Sequence, residues 1–122
     1  MNTKKIVIVD DETEILNMLS RFLTKSGKYN VSTFSNPIHA IDSLKKDPCD
    51  LILLDIMMPQ MNGLDVLEQV MQLKAEQKVI MMTAYSTLDK VLKAHKEGAT
   101  HYVMKPFDSL QALENKIIEV LK

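Results

Sequence analysis

Asp10, Asp11, Asp55, Thr83 and Lys105 are the residues whose types and placement could do chemistry together. Each lies at the end of an apolar run. Ile6-Val7-Ile8-Val9 stops at Asp10-Asp11, and Leu51-Ile52-Leu53-Leu54 stops at Asp55. Val79-Ile80-Met81-Met82 stops at Thr83, and Tyr102-Val103-Met104 stops at Lys105-Pro106. If the runs are parallel strands of one sheet, three carboxylates, a hydroxyl and an ammonium gather at its carboxyl edge, where open α/β sheets bind ligands. Two carboxylates 4 Å apart repel by about 4 kcal/mol at an effective dielectric near 20. One ammonium cannot balance three of them, so the set calls for a hard divalent cation. An all-oxygen donor set suits Mg²⁺ (or Mn²⁺) rather than zinc. With a cation present, one carboxylate is free to accept a phosphoryl group as an acyl phosphate. Asp55 is the best placed, alone on the central strand, with Lys105 and the Thr83 hydroxyl to hold phosphoryl oxygens.

The elements that must position these residues alternate five times. Strands are expected over Lys5–Val9, Asn30–Phe34, Asp50–Leu54, Lys78–Met82 and His101–Met104. Helices are expected over Glu12–Ser26, from Asn36-Pro37 to Lys46, over Leu64–Leu73, from Thr87 to Gly98, and over Ser109–Leu121. Asp11 with Glu14 reads as a capping box for the first helix, Gly27 as its end, and Asp55–Asn62 as a loop. Strands 1, 3 and 4 are continuous apolar runs, the mark of burial on both faces of a parallel sheet. The expected architecture is a (βα)5 doubly wound α/β domain over residues 1–122, with strand order 2-1-3-4-5. That order makes neighbours of the four strands carrying the special residues.

The whole chain sets the bounds. Its 122 residues fit one domain, 25% of them are charged, and the net charge is -1, so no global field recruits nucleic acid. Cys49 is the single cysteine and reads as a small packed residue. The apolar run after Met1-Asn2-Thr3-Lys4-Lys5 ends in carboxylates, which fits neither a signal peptide nor a membrane span. The expectation is a cytoplasmic protein with no membrane partner. His39, His95 and His101 show no metal-ligand spacing, and most of the nine Met read as packing. Met18 and Arg21 lie off the apolar stripe of the first helix and read equally as a docking surface or a solvated face.

Five motifs carry a resemblance: Ile8-Val9-Asp10-Asp11-Glu12, Leu53-Leu54-Asp55-Ile56-Met57-Met58-Pro59, Met61-Asn62-Gly63, Met82-Thr83-Ala84-Tyr85 and Tyr102-Val103-Met104-Lys105-Pro106-Phe107. With them the chain resembles, from end to end, the receiver domain of two-component response regulators, a flavodoxin-like fold. It looks most like single-domain chemotaxis and sporulation regulators. The resemblance implies a signalling switch rather than an enzyme, assisting only its own phosphorylation and dephosphorylation. A sensor histidine kinase or histidine phosphotransfer protein would supply the phosphoryl group to Asp55. Asp11, Asp55 and the backbone carbonyl of Met57 would hold Mg²⁺, with Asp10 acting through water. Thr83 and Tyr102 would be the switch residues, the Lys105-Pro106 bond would be cis, and the helix 4–strand 5–helix 5 face would meet a downstream effector. The protein would be a monomer or a phosphorylation-dependent dimer.

Met57 and Tyr85 stand where the family flanks the path of attacking water. Met57 offers that water no hydrogen bond and Tyr85 is bulky, so self-dephosphorylation is expected to be slow. Three alternatives stay open. The receiver could head a longer DNA-binding regulator, which the reading frame past Lys122 would decide. A small Asp-nucleophile phosphatase would turn over phosphoesters, although Asp10-Asp11 is not the Asp-x-Asp such enzymes carry. A flavin binder would be yellow and would need phosphate donors where Asp10, Asp11 and Glu12 stand.

Overall fold

The computed structural model describes residues 3–84, 96, 98–105, 107 and 109–122. Five strands alternate with helices along the chain: β1 (Lys4–Val9), α1 (Thr13–Thr24), β2 (Tyr29–Phe34), α2 (Pro37–Lys46), β3 (Leu51–Asp55), α3 (Gly63–Leu73), β4 (Lys78–Ala84), β5 (His101–Lys105) and a C-terminal helix (Leu110–Leu121). The strands form one parallel sheet in the order β2-β1-β3-β4-β5, as the sequence pattern requires. Residues 87–95 and 97 of the fourth expected helix (His95 included), Tyr85 and the Lys105-Pro106 bond fall outside the described residues. Among the described residues, no helix is long and apolar enough to cross a membrane.

The continuous apolar strands have a core on each face. Val7, Val9, Ile52, Leu54, Val79 and Met81 pack under α2 and α3 with Ala40, Ile41, Val66, Leu67 and Val70. Their sequence neighbours Ile6, Ile8, Leu51, Leu53, Ile80 and Met82 face the other way, against Leu16, Leu19 and Leu23 of α1 and Leu113 and Ile117 of the C-terminal helix. Successive strand residues point to opposite faces, so burying both faces demands an apolar residue at every position. β2 lies at an edge and is only half buried, which is why its sequence mixes polar and apolar residues.

Helix ends follow local chemistry. Asn36 accepts a hydrogen bond from the Ile38 N–H at 2.9 Å, with Pro37 as the first helical residue. Asn62 does the same for the Leu64 N–H at 2.8 Å, and Ser109 for the Ala112 N–H at 2.9 Å. Gly27, at φ 74°, follows the end of α1 in the left-handed region open to glycine. The capping box expected from Asp11 and Glu14 does not form. Glu12 occupies the cap position without a side-chain cap bond, and the Asp10 carboxylate accepts the Glu12 N–H at 2.9 Å. Asp11 instead turns its side chain to Asp55. Three strand ends also run further than the sequence pattern suggests, and Asp55 is the last residue of β3. Thr83 and Lys105 are within β4 and β5, with Thr83 opposite Met104 and Ala84 opposite Lys105.

Candidate functional site

Parallel pairing brings the ends of β1, β3, β4 and β5 to one edge, and the expected residues arrive there with them. Asp10 follows β1 and is fully buried, Asp55 ends β3 at 4% exposure, and Thr83 in β4 is buried. A carboxylate oxygen from each of Asp10, Asp11 and Asp55 lies within 4.8 Å of the others. Among the described residues this is the one such group of His, Cys, Asp or Glu, so His39 and His101 stay outside any cation site.

Lys105 reaches into the acids from β5. Its ammonium donates to Asp10 Oδ2 at 2.6 Å and to Glu12 Oε1 at 3.3 Å, and lies 3.4 Å from Asp55 Oδ1. The Met57 N–H donates to that same Asp55 oxygen at 3.3 Å. Burial pushes the Asp55 carboxyl up to about 7, helped by the Asp10 charge and the hydrogen bond with Asp11. Lys105 and the Met57 N–H act in the opposite direction. For Lys105, burial works against the ammonium, but the contact with Asp10 and the charges of Asp55 and Asp10 outweigh it, and its pKa is raised. Three carboxylates around one ammonium leave excess negative charge in a partly desolvated space. A proton on Asp55 relieves it in the absence of a cation, and a divalent cation would relieve it further. The donor set fits a hard cation on chemical grounds, since every ligand atom is oxygen and two of the three carboxylates are buried.

Two further residues support the site. Glu12 is 3.3 Å from the Lys105 ammonium, a contact visible only once β5 joins β1 and β3 in one sheet, paired to β4. Gly63, at the start of α3, is packed onto the backbone at the end of β3. A Cβ there would lie 2.2 Å from the Asp55 carbonyl oxygen and 2.6 Å from Ile56 Cα. The Gly63 N–H also donates to the Ile56 carbonyl at 2.8 Å, closing the loop after Asp55. The sequence marks this glycine as part of a turn, but its close approach to Asp55 needs the folded chain.

The response regulator receiver domain model matches residues 6–118. The chain belongs to the receiver-domain family. It is 32% identical to the chemotaxis protein CheY of Thermotoga maritima, over 93% of this chain and 97% of that protein. It is 36% identical to sporulation initiation phosphotransferase F of Bacillus subtilis, over 88% of this chain and 86% of that protein. Identity to the DNA-binding transcriptional regulator NtrC of Klebsiella pneumoniae is 41% over 87% of this chain, which spans only 22% of that protein. A CheY-like receiver from Methanospirillum hungatei superposes at TM-score 0.92 with 33% identity, covering 98% of this chain and 94% of that one.

In this receiver Tyr102 lies away from the acids. It is on β5 opposite Met81, 43% exposed, with the Lys116 ammonium 5.8 Å from its ring centroid and the His101 ring tilted against it at 6.1 Å. Cys49 is buried and its thiol is pushed up to about 11 by burial, as a packing residue would be.

Proposed function

We propose that this receiver accepts a phosphoryl group on Asp55 from a phosphohistidine and passes the change to a partner protein. The observation that carries the reading is the convergence of Asp10, Asp11, Asp55 and Lys105 at the sheet edge of a receiver domain. The phosphohistidine belongs to a sensor histidine kinase or a histidine phosphotransfer protein. Asp10, Asp11 and Asp55, with the Met57 carbonyl, are the residues that would hold Mg²⁺ or Mn²⁺, which when bound neutralises phosphoryl oxygens.

Asp55 is the nucleophile, since it ends the central strand with Lys105 and the Met57 N–H at its Oδ1; its carboxyl, pushed up to about 7 by burial without a cation, can shed its proton close to neutral pH. Lys105 is already beside the Asp55 oxygen and needs only to release Glu12 and Asp10 in part to meet a phosphoryl oxygen. Thr83 supplies a hydroxyl from the adjacent strand. Asp10, buried and bonded to Lys105, holds that ammonium in place. The protein is a switch rather than a turnover enzyme, and it acts in the cytoplasm.

The added charge of about -1.5 to -2 biases two states of the domain. Thr83 moves toward the phosphoryl group, Tyr102 gives up its exposed position, and the face that includes β5 and the C-terminal helix is read by an effector. Moving a population from one in a hundred to ninety-nine in a hundred takes about 5.5 kcal/mol. Charge-assisted hydrogen bonds from Lys105 and Thr83, together with the bound cation, are of that order. The 41% identity to NtrC favours one further reading, a receiver that heads a DNA-binding regulator. The test of the main reading is incubation with acetyl phosphate and Mg²⁺, followed by intact mass. One phosphoryl group should be gained, and none by Asp55→Asn or without the cation.

A further inference from the structure

Two residues beyond Asp55 stands an exposed thioether. Met57 is 51% exposed, the most exposed of the methionines at which exposure is described. Its close companions are protected: Met58 is 8% exposed, and Met81 and Met82 are fully buried. Its backbone N–H is bonded to Asp55 Oδ1, which ties this residue to the end of β3. A thioether offers solvent almost no hydrogen bond. Its sulfoxide is polar and presents a strong acceptor oxygen.

We infer that Met57 is an oxidative modification site, at which hydroperoxides convert the thioether to the sulfoxide and thereby shorten the lifetime of the phosphorylated domain. The inference rests on Asp55 as phosphoacceptor. In the step itself, a sulfur lone pair attacks one peroxide oxygen. The S–O bond forms, the O–O bond breaks, and the departing oxygen takes up the proton and leaves as water or alcohol. Sulfur is oxidised by two electrons and the peroxide is reduced by two. Because the Met57 N–H is bonded to Asp55 Oδ1, the new oxygen is close enough to accept a hydrogen bond from water approaching the phosphoryl group and to order it there. Apolar Met57 cannot do this. Cys49 does not compete for the oxidant, since it is 4% exposed and its thiol stays protonated at neutral pH. Met18 and Met104, at 37% and 42% exposure, are the internal comparison. Met18 is on α1 and Met104 on β5, whereas Met57 is two residues beyond Asp55.

The test treats the whole protein with a graded amount of hydrogen peroxide, removes it with catalase, and phosphorylates with acetyl phosphate and Mg²⁺. Peptide masses report sulfoxide at each methionine, and intact mass follows loss of the phosphoryl group. The expected result is that the decay rate rises at least three-fold in step with sulfoxide at Met57. Met57→Leu should lose that response, while Met18→Leu with Met104→Leu should keep it. The inference is overturned if Met57 remains unoxidised while Met18 and Met104 react. It is also overturned if decay is unchanged at full Met57 oxidation, or if Met57→Leu responds as the parent does. A protein that takes up no phosphoryl group before any peroxide is added overturns the proposed function, and this inference with it. Uptake without a peroxide effect overturns the inference alone.

Discussion

Replacing Asp55 with asparagine should make the cation-free protein more stable, although it removes the residue on which the proposed function depends. The folded-state carboxyl holds its proton up to pH about 7, because it is buried beside Asp10 and hydrogen-bonded with Asp11. In the unfolded chain an aspartate loses its proton near pH 4. Between those values the folded state binds more protons, so the stability from this group is full below pH 4. It is lost as pH rises through 7. With water at the pocket mouth screening part of the charge, the loss at pH 8 comes to about 2–4 kcal/mol. An asparagine amide keeps the neutral form at every pH and can still donate to Asp11. For a domain of this size the gain corresponds to a rise of about 10 °C in melting temperature at pH 8. It should shrink to under about 1 kcal/mol at pH 4, where the parent carboxyl is itself protonated. The assay is thermal unfolding of both proteins in chelator across pH 4–8, repeated in Mg²⁺. Cation should raise the parent's melting temperature and move the variant less. Equal melting temperatures at pH 8, or a difference that does not depend on pH, would refute the reasoning.

Three other outcomes are expected. Lys105→Met leaves the fully buried Asp10 without its ammonium partner and should cost about 3 kcal/mol at pH 8 in chelator; a melting temperature within 2 °C or so of the parent would contradict that figure. Gly63→Ala puts a methyl against the Asp55 and Ile56 backbone and should cost about 1–3 kcal/mol while weakening Mg²⁺ binding, read by urea unfolding and calorimetry. Phosphorylated Met57→Asn combined with Tyr85→Glu should lose its phosphoryl group several-fold faster than the parent in Mg²⁺, and no acceleration would show that these side chains do not set the rate.

Much of the site was legible because a doubly buried parallel strand has a plain signature. Ile6 to Val9 and Leu51 to Leu54 admit no polar residue until the sheet edge, so Asp10 and Asp55 stand out where burial stops demanding apolar side chains. The strand order then follows from short right-handed crossovers. What the sequence could not fix depends on distances between elements. Asp11 reads as the cap of α1, and only the folded chain shows it turned to Asp55, with Glu12 at the cap position and Asp10 accepting the Glu12 N–H. Glu12 joins the site only through the reach of Lys105 from a strand 93 residues further along. Thr83 and Lys105 lie inside their strands because the β4–β5 ladder continues past the last apolar residue, which pairing partners determine and composition does not. Gly63 looks like an ordinary turn glycine until α3 is seen resting on Asp55.

The central claim is that Asp55 is the phosphoacceptor, and borohydride trapping tests it most directly. Protein treated with acetyl phosphate and Mg²⁺ is reduced so that an acyl phosphate becomes a primary alcohol, and peptide fragmentation locates the altered residue. The account predicts homoserine at position 55 alone, absent when the cation is chelated. Reduction at Asp10 or Asp11 instead, or no reduced residue in protein that has gained a phosphoryl group, would contradict it.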